Sequence, residues 1–157
     1  MIDRERLIQE DYVGTEHGPW KVLVVCQCLN QATWMVAERV LVELFVKYPS
    51  PDSLDLVPLT YVEGNALTED LYWIFRPLGF GMRRVNSLMG MSREYVQERQ
   101  VKGEAFETYD IGSFTGCGDY ACDAWTLFVL KQPRKPRDKQ LARYAKRAGL
   151  YAEISGG

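Results

Sequence analysis

Histidine is nearly missing from this sequence, and the scarcity removes whole classes of chemistry. His17 is the sole histidine, so a histidine-containing catalytic triad or metal site has one candidate at most, in the glycine-flanked segment DYVGTEHGP. Cysteine is sparse and poorly spaced for metal. Cys26 and Cys28 are separated by one residue, Cys117 and Cys122 by four, which fits neither a zinc knuckle nor the four-cysteine loop of an iron–sulfur cluster. Reduced structural thiols are expected. Long apolar runs are also lacking: Val22 to Leu29 is broken by Gln27 and falls far short of the ~20 residues of a membrane span. The N-terminus MIDRERLIQED is charged where a secretory signal would be apolar. No membrane partner is expected, and an intracellular location is expected.

No stretch alternates apolar and polar residues for long enough to argue for a sheet, whereas helical periodicity recurs throughout. An all-α fold is therefore predicted. Candidate helices run from Asp3 to Glu10, Pro19 to Asn30, Thr33 to Lys47, Thr68 to Phe75, Met82 to Arg99, Asp119 to Leu130 and Pro136 to Ala148, punctuated by proline and glycine. At 157 residues, 46% hydrophobic and 12% aromatic, the chain has material for one core. No repeat, linker or low-complexity tract divides it, so residues 1–157 are read as a single monomeric domain. VLVVC and VAERVLVELF are apolar nearly all round, as helices at the centre of a bundle must be.

The net charge of −2 conceals an asymmetry. Residues 131–147, KQPRKPRDKQLARYAKR, hold eight of the nineteen Lys and Arg and one of the twenty-one acids, so eleven basic residues face twenty acidic ones elsewhere. Such a segment suits a polyanion; a solvated amphipathic helix would have the same composition.

Two short motifs lie close together. FTGCGDYACDAW, 114 to 125, sets a Gly-Cys-Gly turn before a helix. Glycine allows a tight turn and close approach, and the free N–H groups of a helix N-terminus suit a phosphate; an ordinary tight turn reads the same way. PRDKQL, 136 to 141, puts Asp138 at the start of a second helix, where the dipole favours a carboxylate and where a plain N-cap would also sit.

In this order the two motifs resemble the helix-hairpin-helix and Gly/Pro-rich loop with aspartate of the HhH-GPD superfamily of DNA glycosylases. The likeness is strongest to the thymine/uracil mismatch glycosylase domain attached to methyl-CpG-binding proteins. LIQE at 7–10, PWK at 19–21, LNQAT at 29–33, KYPS at 47–50, RPLGF at 76–80 with Arg84, TGCGDY at 115–120 and PRDKQL at 136–141 carry the resemblance over almost the whole chain. It implies a hairpin at 114–130 and a catalytic loop and helix at 131–148. Double-stranded DNA with a flipped pyrimidine is the implied partner, and no metal or organic cofactor is called for.

By that resemblance Asp138 corresponds to the catalytic aspartate, and Gln31 to the residue that fills the gap left by the extruded base. Gln9 and Tyr120 fall at base-pocket positions, although Gln9 could equally be a surface residue of the first helix. Gly116 and Gly118 match the hairpin glycines; Thr115, Arg134, Lys135 and Lys139 complete the expected DNA-backbone contacts. A glutamine amide can pair with a uracil-type edge, and a tyrosine can stack on it or hydrogen-bond to it. Where bifunctional members carry a Schiff-base lysine, position 120 has tyrosine, so no lyase step is expected. A carboxylate beside the anomeric carbon stabilises the positive charge of glycosidic cleavage and can orient the attacking water.

Asp119 and Cys117 replace the family's usual hairpin neighbours, and the loops at 11–18 and 57–66 look longer than in the relative, which points to a specialised substrate. Two further readings stay open. One is a viral-type thymine hypermodification transferase on the same scaffold, in which an amine displaces an activated group on the 5-methylene of a uracil base in DNA. The other is a catalytically idle DNA-binding module.

Overall fold

The computed structural model describes residues 6–108, 111 and 114–152. Within them lie seven α-helices: α1 Ile8–Tyr12, α2 Gly18–Leu29, α3 Trp34–Lys47, α4 Ala66–Phe75, α5 Gly81–Lys102, α6 Asp119–Ala124 and α7 Lys139–Arg147. No strand occurs among the described residues, only a single bridge pairing Arg134 with Tyr151. The all-α expectation holds.

Local chemistry places several helix starts. The Thr33 hydroxyl accepts from Val36 N at the start of α3, and Asn65 Oδ1 accepts from Leu67 N (3.0 Å) and Thr68 N (3.3 Å) at the start of α4. The first helix starts later than its polarity suggests. Leu7 is extended, with its N–H donating to Glu10 Oε2 at 2.8 Å, so α1 begins at Ile8; residues 3–5 of the predicted helix lie outside the described residues. The predicted helix from Asp119 to Leu130 is continuous, but it widens into a π-helix over Trp125–Leu130. The last helix begins at Lys139 instead of Pro136, because Asp138 caps it from outside.

The centre of the molecule is α2. Trp20 and Val22 to Val25 are fully buried, and α1, α3, α5 and α6 all pack against this helix. Each such side chain contributes roughly 1.5–3 kcal/mol through burial. The expectation that α3 is equally central is corrected: Met35, Val42 and Val46 are exposed. This helix has α2 on one side and α4 on the other, and apolar composition alone does not force a face inward.

Candidate functional site

A cavity of about 660 Å³ opens where α1, the α2–α3 turn, the 116–121 segment and the start of α7 meet. Gln9, Gln31, Gly116, Gly118, Tyr120 and Asp138 all line it. Six residues singled out from four separated stretches of sequence therefore share one space.

Gln9 forms its floor. It is fully buried, not a surface residue of the first helix. Its Nε2 donates to Tyr120 Oη at 3.0 Å and lies 3.6 Å from Cys26 Sγ. Its Oε1 is buried with no hydrogen-bond partner. A buried, unmade acceptor costs about 1–3 kcal/mol and asks for an explanation; an N–H donor entering the cavity would supply one. Burial pushes the Tyr120 hydroxyl well above its ordinary value, so it is a neutral donor at this position.

Asp138 stands at the rim, half-buried, and is the N-cap of α7: its Oδ2 accepts from Leu141 N at 2.9 Å. The bland structural role is thus realised, yet it uses only one carboxylate oxygen. Oδ1 has no hydrogen bond among the described residues. Asp119 also lines the cavity, whereas no lysine or arginine does.

The turn after α2 carries Gln31 in a left-handed conformation, φ 55°, with the side chain exposed. Across a smaller cleft of about 80 Å³ sits Phe80, also left-handed at φ 52° and 59% exposed. Such backbone angles cost roughly 1 kcal/mol or more in residues other than glycine, so both turns are held by something else. Arg84 holds them. Only 9% exposed, it donates to the carbonyls of Gln27 (2.9 Å) and Asn30 (2.7 Å) at the end of α2 and to those of Gly79 (2.8 Å) and Leu78 (3.4 Å) before Phe80. Neither Phe80 nor this clamp was foreseen from sequence. The RPLGF stretch with Arg84 marked the region, but only the fold brings it to the α2–α3 turn.

Gly116 is left-handed at φ 73°, and a Cβ there would lie 2.9 Å from Gln27 Nε2. Gln27 Nε2 donates to the Thr115 carbonyl at 3.0 Å, and both Thr115 N–H (2.8 Å) and its hydroxyl donate to Glu94. Thr115 is therefore an anchor of the hairpin to α5. Gly118, by contrast, has φ −99° and open space where a Cβ would be; the first N–H groups of α6 follow it with no helical carbonyl to receive them.

Among the expected backbone contacts, Lys135 and Lys139 are exposed and carry no ion pair among the described residues. Arg134 is already engaged: its Nε donates to the largely buried Asp123 at 2.7 Å. His17 caps α2 in a left-handed turn away from the cavity lining. All four cysteines are free thiols. Burial pushes Cys28 and Cys117 up to about 12 and Cys26 higher still, so none of these three is a thiolate nucleophile near neutral pH. No group of three or more His, Cys, Asp or Glu among the described residues could hold a metal ion, and no helix there is long and apolar enough to cross a membrane.

No protein-family model matches the sequence. It is similar to a methyl-CpG-binding domain protein 4-like protein of Arabidopsis thaliana, 30% identical over 140 residues, which are 88% of this chain and 27% of that protein. Two solved endonuclease III–DNA structures, a non-covalent complex and a trapped covalent intermediate with an estranged adenine, superpose with a TM-score of 0.62 at 20% identity. They cover 83% of this chain and 56% and 57% of theirs. The chain thus spans about a quarter of that curated relative and just over half of each solved chain, and it has the all-α fold of endonuclease III.

Proposed function

We propose that this chain is a DNA base-flipping enzyme that acts on a thymine- or uracil-type base, and that it hydrolyses the N-glycosidic bond without a lyase step. The observation that carries this reading is the buried Gln9 Oε1. It has no partner, on the floor of a cavity whose rim holds Asp138. A uracil-type ring presents an N–H flanked by two carbonyls. The ring N–H donates to Gln9 Oε1, and the Tyr120 hydroxyl donates to a ring carbonyl.

Gln31, with Phe80 across the cleft, occupies the space the base vacates. Gly118, the first N–H groups of α6, Lys135 and Lys139 hold the backbone; Thr115 and Arg134 serve by anchoring, through Glu94 and Asp123. In the chemical step the C1′–N1 bond breaks with its electron pair passing to the base. Asp138 Oδ1 stabilises the positive charge on the sugar and takes a proton from the water whose oxygen bonds to C1′. Tyr120 cannot form an imine, so no strand cleavage accompanies this step.

The test is incubation with duplexes carrying T:G, U:G or 5-hydroxymethyluracil, followed by hot alkali. Strand breaks at the target base are expected with the parent protein and none with Asp138→Asn, which should still bind DNA. Activity surviving that substitution would overturn the mechanism.

One observation favours a second reading. Two carboxylates, Asp119 and Asp138, line the cavity and no lysine or arginine does, a lining suited to an ammonium ligand. In amine transfer, the nitrogen lone pair attacks the 5-methylene of an activated thymine. The C–N bond forms as the bond to the leaving oxygen breaks, the leaving group departs with that electron pair, and Asp138 takes the proton from nitrogen. The glycosidic bond stays intact, so alkali-stable DNA of increased mass, formed only with an activated base and an amine, distinguishes the two.

A further inference from the structure

Beside the cleft, on the side away from the cavity, lies a row of aromatic side chains that the proposed chemistry does not use. A Cβ at Gly81 would sit 2.8 Å from Tyr72 Cε2, so the Tyr72 ring rests against the residue that follows Phe80. Tyr61 and Trp73 pack on Tyr72 with ring centroids 5.6 and 5.7 Å away. Trp73 is 59% exposed, unusual for the largest side chain on a helix that has a core face available.

Two cations accompany the rings. Arg76 Cζ lies 4.9 Å from the Trp73 ring centroid, and Arg83 Cζ 5.6 Å from that of Phe80. Neither guanidinium pairs with a carboxylate among the described residues. The neighbouring acids of α4 are already committed, Asp70 to Lys47 (2.9 Å) and Tyr48 (2.8 Å), Glu69 to Gly64 N–H (2.8 Å). The loop that carries Tyr61 is pinned to α5, since Tyr61 N–H donates to Asn86 Oδ1. Glu63 and Glu69 lie near Tyr61 at one end, so the ledge is built in advance with its two unpaired guanidiniums beside the exposed rings of Trp73 and Phe80.

We propose that this ledge, formed by Tyr61, Tyr72, Trp73, Arg76 and Arg83, is a second nucleic-acid contact that receives the strand opposite the everted nucleotide. An unpaired base of that strand stacks on Trp73, while Arg76 and Arg83 meet its phosphates. The inference rests on the base-flipping reading, because the ledge is continuous with the cleft between Gln31 and Phe80. Exposed aromatics interleaved with arginine are the chemistry that holds unpaired bases without reading their sequence. A fully stacked duplex offers no base face to Trp73, so the ledge selects DNA in which that strand is bulged or mispaired.

The test compares Trp73→Ala with the parent on three probes: a fully paired duplex with a target thymine, the same duplex with one unpaired nucleotide opposite it, and the target strand alone. Trp73 is exposed, so the variant should melt as the parent does. Its affinity for the bulged duplex should fall about tenfold, with little change on the paired one, and its product yield per bound complex should be unaltered. Trp20 and Trp125 are fully buried and Trp34 lines the cavity, so the quenching of tryptophan emission that the bulged duplex adds over the paired one should be lost with Trp73. Arg76→Gln with Arg83→Gln should flatten the salt dependence of binding by about two phosphate contacts. Equal affinity of parent and Trp73→Ala for the bulged duplex would overturn the ledge while leaving the base-flipping reading to its own alkali assay. A parent that binds none of the three would remove both. A parent that sediments as a dimer, with Trp73→Ala a monomer, would assign the ledge to a second copy of the chain and overturn the nucleic-acid assignment.

Discussion

Glu10 and Arg147, 137 residues apart in sequence, close a two-pronged ion pair at 3.1 and 3.0 Å. The pair ties α1, which carries Gln9, to α7, which Asp138 caps. The floor and the rim of the cavity are thus joined by one contact outside it.

Burial alone would raise the Glu10 carboxyl, but hydrogen bonds from Arg147 and Leu7 N–H, together with the Arg147 charge, hold it below its ordinary 4.5. A carboxyl depressed by folding contributes stability that is complete above pH 4.5 and is lost as pH falls through the lower folded value. Because Arg147 is about half exposed, solvent screening limits the pair to roughly 0.5–1 kcal/mol. Glu10→Gln should lower the melting temperature by about 1–4 °C at pH 7 and by progressively less below pH 4.5, as read from melts across pH 3 to 7.

Gln9→Leu separates stability from activity. It removes an acceptor that is buried without a partner, a group that costs about 1–3 kcal/mol in the empty protein, and it also removes the donor to Tyr120. The two changes oppose, so the melting temperature should stay within a few degrees of the parent. Turnover on the preferred base should fall by roughly a hundredfold, as expected when a site loses a hydrogen bond to its substrate. A variant with parental turnover would show that Gln9 does not read the base.

The two hairpin glycines should behave differently. At Gly116, φ is 73° and a Cβ would lie 2.9 Å from Gln27 Nε2, so Gly116→Ala should cost about 1–2 kcal/mol of stability before any ligand is considered. At Gly118 a Cβ would meet nothing and φ is ordinary. Gly118→Ala should melt like the parent yet bind DNA more weakly, because only an approaching phosphate backbone needs that space. Melting curves beside a binding titration check both statements.

Arg84→Met leaves the carbonyls of Gln27, Asn30, Leu78 and Gly79 without their guanidinium. A loss of about 2 kcal/mol or more is expected from the unsatisfied carbonyls, readable by denaturant titration. Arg84→Lys keeps the charge but cannot span both turns, so it should restore little. Both variants should lose base extrusion, followed by a fluorescent base analogue at the target position, to a greater degree than Gln31→Ala alone, since the turns of Gln31 and Phe80 loosen together.

Much of the helical frame is legible in the chain. Apolar spacing and punctuation place α2, α3, α4 and α5 within a few residues, because periodicity and capping are local. The burial of α3 is not legible: Val42 and Val46 are as apolar as the residues that reach the core, and only the arrangement of α2 and α4 decides which face is covered. The start of α7 moved for a similar reason, since Asp138 can sit inside a first turn or cap it, and the bond from Leu141 N settles the matter in three dimensions. Gln9 shows the same limit. Its place within LIQE marks it for the base pocket only through likeness to a family, whereas its burial against Tyr120 arises from the packing of α1 on α2 and α6.

Residue order alone determined that this chain forms helices, where most of them begin and end, and that a glycine turn and a capping aspartate follow one another near its end. Those properties depend on neighbours within about four positions. Tertiary structure alone decided that Gln9, Gln31, Tyr120 and Asp138 share a cavity, that Arg84 locks two strained turns at once, and that Thr115 and Arg134 are spent on Glu94 and Asp123. Each of these is a contact between segments far apart in sequence, and its energy depends on distance and on exclusion of water, which the packed fold sets and the chain order does not express.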